Sequence, residues 1–425
     1  MSSGPVEILP LERAPQATVR VPGSKSITNR ALLLAALADG DSVLDGALYS
    51  DDSRYMAAAL RELGVLVKED PGESAYEVRG TGGRWAATGA TLFAGNAGTA
   101  VRFLVAAACL GRGRFVVDGN ERMRQRPIDD LVRALTALGV DVDCPTGCPP
   151  VTIRADGLPG GEVEVAGGAS SQFLSALLLA APYARDDLVL HSGEDLIARP
   201  YIDLTLGVMS DFGVTVEREG YRRFRVRHGQ RYRARRYAIE ADASSAHYFL
   251  AAAAITGGTV EVAGIGRDSR QGDVHFADVL ERMGAKVSWS AESVSVTGPP
   301  RLRGGDFDMN AISDTSMTLA AVSPLADGPV RIRNVAHIRK QESERVAAVT
   351  AGLRALGARV VEHPDGWEIQ PTALHGGEID PHDDHRIAMA FALVGLRVPG
   401  VRILQPACVE KTFPRFFATL EELRR

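Results

Sequence analysis

Six segments of this chain are apolar on nearly every side, and each has the length of a short helix. They are rich in Ala and Leu, which favour helix, and a helix that is apolar all round belongs in a protein interior. In chain order they read NRALLLAALA, AVRFLVAAACL, SQFLSALLLAA, AHYFLAAAAI, MTLAAVSPLA and HRIAMAFALVGL. The pattern therefore predicts six buried helices. A second, more polar helix is predicted after each of them, as in SDDSRYMAAAL and KTFPRFFATLEEL.

A short β-branched strand follows each apolar helix and recurs at a period of about 72 residues. The first valines of these strands are Val43, Val116, Val189, Val260, Val330 and Val401. A glycine where each of the first five polar helices should end has the same period, and it predicts a left-handed cap. These glycines are Gly64, Gly139, Gly213, Gly284 and Gly357. Together the recurring strands and the recurring glycines predict an α/β fold of six βα-type repeats.

Six such units are too many for one small core, so two groups of three predict two domains of similar size. We expect the chain to cross between the domains near Val21 and again near Ala241, with the N-terminal strand returning to the second domain. The predicted domains are a discontinuous one, residues 1–21 plus 242–425, and an inserted one, residues 22–241.

Composition and charge narrow the class of protein. The chain has 425 residues and is 45% hydrophobic and 24% charged, which is ordinary for a globular protein. A formal net charge of −5 argues against nucleic acid or an anionic membrane as a partner. No apolar run approaches the about 20 residues that cross a bilayer, and Met1–Arg20 does not read as a signal peptide. Cys144 and Cys148 lack a second Cys/His pair, so no metal site is expected. We expect a cytoplasmic protein.

The residues directly before the six buried helices are polar and carry the candidate chemistry. They read GSKSITNR, GNAGTAVR, GASSQF, DASSAH, ISDTS and DDHR. Ser, Thr, Asp and Asn commonly cap helices, and for DASSAH and isolated serines capping is the simpler interpretation. Capping does not explain the cations at or beside these positions, which are Lys25, Arg30, Arg102, Arg126, Arg345, Arg386 and Lys411. Helix N-termini and arginines both bind anions, so the pattern predicts a site for a multiply charged anion.

Two carboxylates, Asp314 in ISDTS and Glu342 in RKQESER, interrupt this basic set. An N-cap and a helix-face ion pair are their simpler interpretations, but in a cationic site either can act as a general acid or base. The glycines of AGNAGTAVR allow a ligand close to the backbone, whereas the Gly-Lys-Ser/Thr ending of a P-loop is missing. Because burying many cations together is unfavourable, we expect them to stay hydrated until the anions bind.

These motifs, in this order and from end to end of the chain, resemble the enolpyruvyl transferase family. The similarity covers VPGSKSITNRALLLAALA, GNAGTAVRF, RMRQRPI, SSQF, DASSA, DMNAISDTSMTLA, ESER, DDHRIAMAF and KTFP. It implies an inside-out α/β barrel architecture, in which each domain has three repeats with buried helices inside and sheets outside. The active site is then expected in the cleft between the two domains.

The resemblance also implies a reaction. The enolpyruvyl group of phosphoenolpyruvate is expected to move to the 5-hydroxyl of shikimate 3-phosphate through a tetrahedral intermediate, with release of phosphate. No cofactor or metal is expected, because alignment and preorganised charge supply most of the rate. A monomer that binds these two small molecules, and neither nucleic acid nor a membrane, is expected.

Each residue at a position of a family motif receives an implied role, including two positions where the residue is not the usual one. Shikimate 3-phosphate would be bound by Lys25, Ser26, Arg30, Ser170, Ser171, Gln172, Tyr201, Asp314, His337 and Gln341. Phosphoenolpyruvate would be bound by Lys25, Asn96, Gly98, Arg126, Gln172, Arg345, Arg386 and Lys411. Asp314 would accept the proton of the reacting hydroxyl, and the candidates for delivering protons are Lys25, Glu342 and Lys411.

Three positions depart from the usual family pattern, all where the acceptor would be held. The chain has Ala198, His337 and Gln341 where the family commonly has serine, asparagine and lysine. The alternative is therefore another acceptor, such as UDP-N-acetylglucosamine or a nucleotide. The loop DGNERMRQRP lacks the reactive cysteine usual in enzymes that use that sugar nucleotide. Two further alternatives are RNA-end recognition, which the acidic net charge disfavours, and a non-catalytic binding protein, which would not need Asp314 and Glu342.

Overall fold

The computed structural model describes residues 4–194 and 196–424, which form two compact units. The discontinuous unit comprises Met1–Pro22 and Glu240–Arg425, and the inserted unit comprises Gly23–Ile239. The chain passes from one unit to the other after Pro22 and after Ile239, and the sequence predicts these crossings near Val21 and Ala241. The predicted domain ranges also contain residues 1–3, 195 and 425, which lie outside the described residues.

The described ranges contain twelve α-helices, which alternate between the two predicted kinds. In chain order, α1 to α12 are Lys25–Leu37, Asp51–Glu62, Gly98–Ala108, Asp129–Ala137, Ser171–Ala180, Pro200–Asp211, Ala243–Thr256, Phe276–Arg282, Ser316–Val322, Arg345–Ala355, His385–Gly395 and Phe416–Glu421. The odd-numbered helices are buried along almost their whole length, as their Ala- and Leu-rich sequences predict. None of the helices in residues 4–194 and 196–424 is long and apolar enough to span a membrane.

The strands are short, and most of them alternate between a buried and an exposed face. In chain order, β1 to β23 are Val6–Ile8, Gln16–Arg20, Asp39–Asp45, Leu66–Asp70, Ala75–Thr81, Gly89–Phe93, Arg112–Asp118, Asp141–Asp143, Val151–Asp156, Gly161–Val165, Leu188–Ser192, Glu217–Glu219, Arg223–Val226, Arg236–Ala238, Thr259–Ala263, Lys286–Trp289, Ser293–Thr297, Gly305–Asp308, Val330–Arg333, Arg359–His363, Gly366–Gln370, Gly377–Ile379 and Val401–Ile403. One face of each sheet therefore covers the buried helices, and the other meets solvent.

Each repeat builds one sheet with the same strand order. In one of them β6 is parallel to β7, β7 is antiparallel to β9, and β9 is antiparallel to β8. The sheets β14-β3-β5-β4, β10-β11-β13-β12, β2-β15-β17-β16 and β18-β19-β21-β20 repeat this order, and β22-β23-β1 has its first three positions. The six valines of the predicted period all lie in the second strand of a sheet, namely β3, β7, β11, β15, β19 and β23. The predicted six-fold repeat is therefore confirmed.

Both units complete their sheets with strands that are distant in sequence. In the discontinuous unit, β2 pairs with β15 in parallel and β1 pairs with β23 in antiparallel orientation. In the inserted unit, β14 returns to pair with β3 in parallel. Such pairing satisfies backbone groups that would otherwise be left at a sheet edge. Each unit also has its own hydrophobic core, built around three odd-numbered helices.

The predicted glycine caps are present, and proline occurs at or just before two of the polar helices. All five glycines have left-handed backbone conformations, with φ of 90° at Gly64, 88° at Gly139, 88° at Gly213, 98° at Gly284 and 82° at Gly357. Pro200 occupies the first turn of α6, whereas α4 begins only at Asp129, so Pro127 lies before its helix. The carbonyl of Pro127 instead accepts a hydrogen bond from Arg102 at 3.3 Å.

Candidate active site

In the inserted unit, the residues of the first motif lie at the start of α1. Ser24 caps this helix, and its side-chain oxygen accepts a hydrogen bond from the backbone N–H of Ile27 at 3.4 Å. The Nζ atom of Lys25 lies 3.8 Å from a carboxylate oxygen of Asp52, whose side chain is almost fully buried. Asp52 is not among the predicted site residues, and its one sequence signal is its position in the polar opening of α2. This ion pair keeps the ammonium group at the positive end of a helix, where anions bind.

Arg30 lies in the second turn of α1 and is 1% exposed. Its Nε donates to Thr205 Oγ1 and its Nη1 to the carbonyl of Ser26, both at 2.9 Å. Its Nη2 donates to the carbonyl of Tyr201 at 3.3 Å, and the guanidinium group lies 5.1 Å from the ring centroid of Phe103. Burial lowers the pKa of Arg30 to about 10, so the group keeps its charge at neutral pH. These contacts join α1 to α3 and α6, and the contact of Arg30 with a substrate carboxylate stays a prediction.

Gly98 begins α3, and its missing side chain leaves room for two guanidinium groups. A Cβ atom at this position would lie 2.5 Å from Arg126 Nη2 and 2.6 Å from Arg102 Nη1. Arg126 Nη1 donates to the side-chain oxygen of Asn96 at 3.1 Å and to its carbonyl at 3.2 Å. Arg102 Nη1 donates to the carbonyl of Gly98 at 2.9 Å. The structure therefore brings Asn96, Gly98 and Arg126 into contact, although they come from separate motifs.

The start of α5 contacts the start of α3. Ser170 caps α5, and its hydroxyl accepts a hydrogen bond from the backbone N–H of Gln172 at 3.2 Å. The side-chain nitrogen of Gln172 donates to Thr99 Oγ1 at 3.2 Å. Ser171 is the first residue of α5 and is 4% exposed, while Tyr201 is half-buried in α6. Nearly all the predicted residues of the inserted unit thus lie at or near the starts of α1, α3, α5 and α6. Arg126 is the exception, and it directly follows the 3-10 turn Met123–Gln125.

In the discontinuous unit, Asp314 lies between two arginines that are predicted to bind anions. It belongs to the 3-10 turn Asn310–Thr315, directly before α9. Its Oδ1 accepts a hydrogen bond from Arg345 Nη1 at 3.1 Å, and its Oδ2 accepts one from Arg386 Nη2 at 2.7 Å. Arg345 begins α10 and Arg386 lies in the first turn of α11. The starts of three helices therefore meet at one carboxylate.

Arg345 is engaged on every side by acceptors from its own unit. Its Nε and Nη2 donate to Asp384 at 2.7 and 3.4 Å, and its Nη2 lies 2.8 Å from Glu342. Its Nη1 donates to Gln341 as well as to Asp314. An arginine side chain has five N–H donors, so these five contacts match its full capacity. Burial opposes the charge of Arg345, but Asp384, Glu342 and Asp314 outweigh burial and raise its pKa.

The expectation that the cations of the site stay hydrated is wrong for these two arginines. Arg345 is 1% exposed and Arg386 is 4% exposed. A buried charge is stable only when opposite charges and hydrogen bonds compensate it. Carboxylates of the same unit supply that compensation here, which the sequence-based expectation did not include.

Asp384 is a site residue that the sequence analysis did not select. It is fully buried, and its side chain caps α11 by accepting a hydrogen bond from the backbone N–H of Arg386 at 3.0 Å. It also accepts from Ser343 Oγ at 3.1 Å, besides its bonds to Arg345. The available signal is its place in DDHR, since an aspartate directly before a buried helix is a favourable cap.

His337 and Lys411 lie in two further 3-10 turns, Ala336–Lys340 and Pro406–Lys411. His337 Nε2 lies 2.9 Å from the hydroxyl of Ser313, the neighbour of Asp314 in sequence. Burial lowers the pKa of His337 to about 4, so its imidazole is neutral at neutral pH. Lys411 is 9% exposed, and its charge partly offsets the effect of burial, which raises the pKa of Asp383.

Asp314 and Arg386 affect the pKa values of two other buried ionisable groups, Asp273 and His247. Asp273 accepts a hydrogen bond from Ser244, and burial together with the charge of Asp314 raises its pKa. His247 Nε2 lies 2.8 Å from Thr318 Oγ1, and burial together with Arg386 lowers its pKa well below the usual value. Neither residue is in the predicted set. In residues 4–194 and 196–424 no group of three or more His, Cys, Asp or Glu side chains is placed to hold a metal ion.

Solved enolpyruvyl transferases share the fold of this chain. The EPSP synthase from Acinetobacter baumannii superposes with a TM-score of 0.82 at 26% identity, covering 98% of this chain and 97% of that one. The enolpyruvyl transferase NikO from Streptomyces tendae superposes with a TM-score of 0.79 at 19% identity, covering 99% and 98%. The second similarity is informative for the fold alone.

The sequence comparisons define the family more closely. The model of the family described as EPSP synthase (3-phosphoshikimate 1-carboxyvinyltransferase) matches residues 12–420, and the chain belongs to this family of enzymes. The 3-phosphoshikimate 1-carboxyvinyltransferase of Nostoc punctiforme is 46% identical, over 98% of this chain and 99% of that protein. The chloroplastic 3-phosphoshikimate 1-carboxyvinyltransferase of Petunia hybrida is 49% identical, over 95% of this chain and 82% of that protein.

Replacing Asp384 should destabilise the discontinuous unit strongly. Asp384→Asn removes the carboxylate that compensates Arg345 while keeping the shape of the side chain, so we expect the free energy of unfolding to fall by about 3 kcal/mol. Asp306→Asn is the matched control, because Asp306 pairs with Arg333 at 2.8 Å on the surface. The control should lose about 1 kcal/mol or less. Urea unfolding of both variants measures the difference, and equal losses would contradict the prediction.

The stability of the protein should fall in mild acid partly because of His337. In the unfolded chain a histidine takes up a proton near pH 6.5, whereas the pKa of His337 in the folded protein is about 4. The unfolded state therefore binds more protons between these values, and the free energy of unfolding decreases as the pH is lowered through this window. His337→Asn should make this decrease shallower. Urea unfolding at a series of pH values provides the measurement, and an unchanged slope would refute the assignment.

Proposed function

We propose that this chain transfers the enolpyruvyl group of phosphoenolpyruvate to the 5-hydroxyl of shikimate 3-phosphate and releases phosphate. The observation that carries the proposal is the carboxylate of Asp314 between Arg345 and Arg386. A proton acceptor there lies beside two guanidinium groups, whose planar donor sets match carboxylates and phosphates. The similarity to the enzymes from Nostoc punctiforme and Petunia hybrida supports the same reaction.

Phosphoenolpyruvate is bound, in this proposal, by cations and by residues at helix starts. They are Lys25, Asn96, Gly98, Arg126, Gln172, Arg345, Arg386 and Lys411. The bonds from Arg126 to Asn96 orient the guanidinium group, and Gly98 leaves space for it, so the donors are already arranged for an anion.

Shikimate 3-phosphate is bound mainly by residues at the starts of α1 and α5. Ser170 and Ser171 would hold the phosphate at the N-terminus of α5, where backbone N–H groups and the helix dipole favour an anion. Lys25, Ser26 and Arg30 would contact the carboxylate and hydroxyls of the ring. Gln172, Tyr201, Asp314, His337 and Gln341 would complete the acceptor site.

The first half of the reaction is an addition. A proton reaches the methylene carbon of phosphoenolpyruvate from Lys25, Glu342 or Lys411, and the adjacent carbon becomes an oxocarbenium-like centre. The 5-oxygen of shikimate 3-phosphate attacks that carbon while Asp314 accepts the hydroxyl proton. The product is a tetrahedral adduct that still carries the phosphate, and positioned charges stabilise it.

The second half is an elimination. The bond between the central carbon and the phosphate oxygen breaks, and a proton leaves the new methyl group, which restores the double bond. Arginines and lysine around the phosphate offset the charge that develops on it as it departs. The group that protonated the methylene carbon takes that proton back from the methyl group, and the proton that Asp314 accepted leaves with the phosphate.

The three departures from the family pattern change how the acceptor side is built. The side-chain oxygen of Gln341 accepts a hydrogen bond from Arg345, which a lysine could not do. His337 is neutral and bonds to Ser313, as an asparagine could. Ala198 is 8% exposed with a positive φ of 49°, and its side chain has no hydroxyl that could donate a hydrogen bond. Each change leaves the contacts of Asp314 in place. We therefore expect a lower affinity for the phosphate of shikimate 3-phosphate and no change of acceptor.

A cytoplasmic location and a monomeric state also belong to this proposal. The relatives differ in compartment, because the protein from Petunia hybrida is named as chloroplastic. Light scattering of the purified chain would measure its mass in solution, and a monomer of 45.3 kDa is expected.

Release of phosphate should depend on shikimate 3-phosphate. With phosphoenolpyruvate present, we expect turnover with this acceptor and none with shikimate, UDP-N-acetylglucosamine or UMP. Each of these three compounds lacks either the phosphate or the carboxylate that the acceptor site would bind. A colorimetric phosphate assay and mass spectrometry of the product provide the measurement. Turnover with one of the other acceptors alone would refute the proposed specificity.

Adding a methyl group at Gly98 should weaken phosphoenolpyruvate binding. The new Cβ would lie 2.5 Å from Arg126 Nη2, so Gly98→Ala must displace that guanidinium group. Since small displacements of positioning groups are costly, we expect KM for phosphoenolpyruvate to rise about tenfold or more. Gly72→Ala is the control, because its Cβ would meet only Asp70 Oδ1 at an ordinary 3.4 Å. Unchanged KM in Gly98→Ala would show that Arg126 does not contribute to this site.

A further inference from the structure

Asp314 and an anionic substrate compete for the same two guanidinium groups. Both carboxylate oxygens of Asp314 are used, one by Arg345 at 3.1 Å and one by Arg386 at 2.7 Å. Under the proposed function these two arginines also bind phosphoenolpyruvate. We propose that Asp314 is an internal counter-ion that phosphoenolpyruvate must displace, and that this displacement frees Asp314 to act as the base. The inference rests on the proposed function, since it needs phosphoenolpyruvate as the incoming anion.

The donor capacity of Arg345 makes displacement necessary. Its five N–H groups have five acceptor contacts, which come from Asp384, Glu342, Asp314 and Gln341. An anion that bonds to this guanidinium group must therefore remove one of these acceptors. Because Arg345 is 1% exposed, water is a poor substitute for a lost partner, so the exchange is from one anion to another.

Asp314 is the acceptor best placed to leave. The side chain of Asp384 is fully buried, and it also caps α11 and bonds to Ser343. The side chain of Glu342 is 9% exposed, whereas that of Asp314 is 21% exposed. Asp314 also accepts a hydrogen bond from the guanidinium group of Arg386, so its movement releases side-chain donors on two arginines at once. A phosphate or carboxylate group can accept both sets of donors together.

The exchange couples substrate binding to the chemistry. A carboxylate that accepts hydrogen bonds from two guanidinium groups is stabilised in its charged form and is a weak base. When Arg345 and Arg386 donate their hydrogen bonds to phosphoenolpyruvate, Asp314 loses that stabilisation and gains proton affinity. It then becomes an effective acceptor for the hydroxyl proton only when the second reactant is bound. The ion pairs that compensate Arg345 and Arg386 thereby also keep Asp314 a weak base until phosphoenolpyruvate binds.

The decisive variant is Asp314→Asn, which keeps the size of the side chain and removes its charge. We measure the Kd of phosphoenolpyruvate alone by isothermal titration calorimetry, and kcat for phosphate release with shikimate 3-phosphate. A competing carboxylate weakens binding of the ligand, so its removal should lower Kd about tenfold, while loss of the base should lower kcat by about 10² or more. Tighter binding together with slower turnover would not result from a merely structural role of Asp314.

Asp308→Asn is the matched control. Asp308 belongs to the same segment of chain and pairs with a different arginine, Arg333, at 2.9 Å. Its Kd should stay within about twofold of the parent value, because a remote surface charge has little effect. Equal tightening in both variants would overturn the inference, since a general change in charge would then explain it.

Glu342→Gln is a second variant in case Asp314→Asn folds poorly. It removes another carboxylate from Arg345, and the inference predicts a lower Kd for phosphoenolpyruvate here too. An unchanged or higher Kd in folded Asp314→Asn, or in folded Glu342→Gln if the first does not fold, would overturn the inference. Turnover by the parent enzyme with shikimate 3-phosphate would at the same time show that the proposed function stands. A parent enzyme without turnover would instead refute the proposed function.

Discussion

The buried charge of Arg345 is the constraint around which the site of the discontinuous unit is built. A guanidinium group that is 1% exposed needs negative partners, and Asp384, Glu342 and Asp314 supply them. Asp384 also caps α11 and thereby sets the direction in which Arg386 leaves that helix. Charge compensation and helix capping are therefore performed by one side chain. This explains why three helix starts meet where they do.

The repeated architecture makes such a meeting possible. Each repeat inserts one apolar helix into the core, so the polar residues that begin that helix have to accompany it. In the inserted unit Arg30 meets the same constraint with neutral groups. Arg30 is compensated by the carbonyls of Ser26 and Tyr201 and by Thr205, and its contacts tie two helix starts together. Gly98 has the complementary role of leaving space for Arg126.

Arg30 and Arg345 are thus compensated in different ways, and this matters for the chemistry. Carbonyl and hydroxyl acceptors cannot take up a proton in the reaction, so the contacts of Arg30 are fixed. Carboxylates can, and the discontinuous unit has placed its candidate acid–base groups against its anion-binding arginines. The neutral state of His337 and the raised pKa of Asp273 fit the same environment, in which burial makes every additional charge unfavourable.

The repeat, the buried helices, the glycine caps and the positions of the cations can all be predicted from the sequence alone. These are local properties: an apolar helix, a left-handed cap and a capping serine can each be recognised within about ten residues. Partners that are distant in the sequence could not be inferred in this way. The bonds from Arg345 to Asp384 and from Arg386 to Asp314 join residues 39 and 72 positions apart, and they become visible only in the folded chain. For the same reason the sequence led us to expect hydrated cations. The residue types indicate how many charges there are, but whether they are solvated or paired depends on which helix starts the fold brings together.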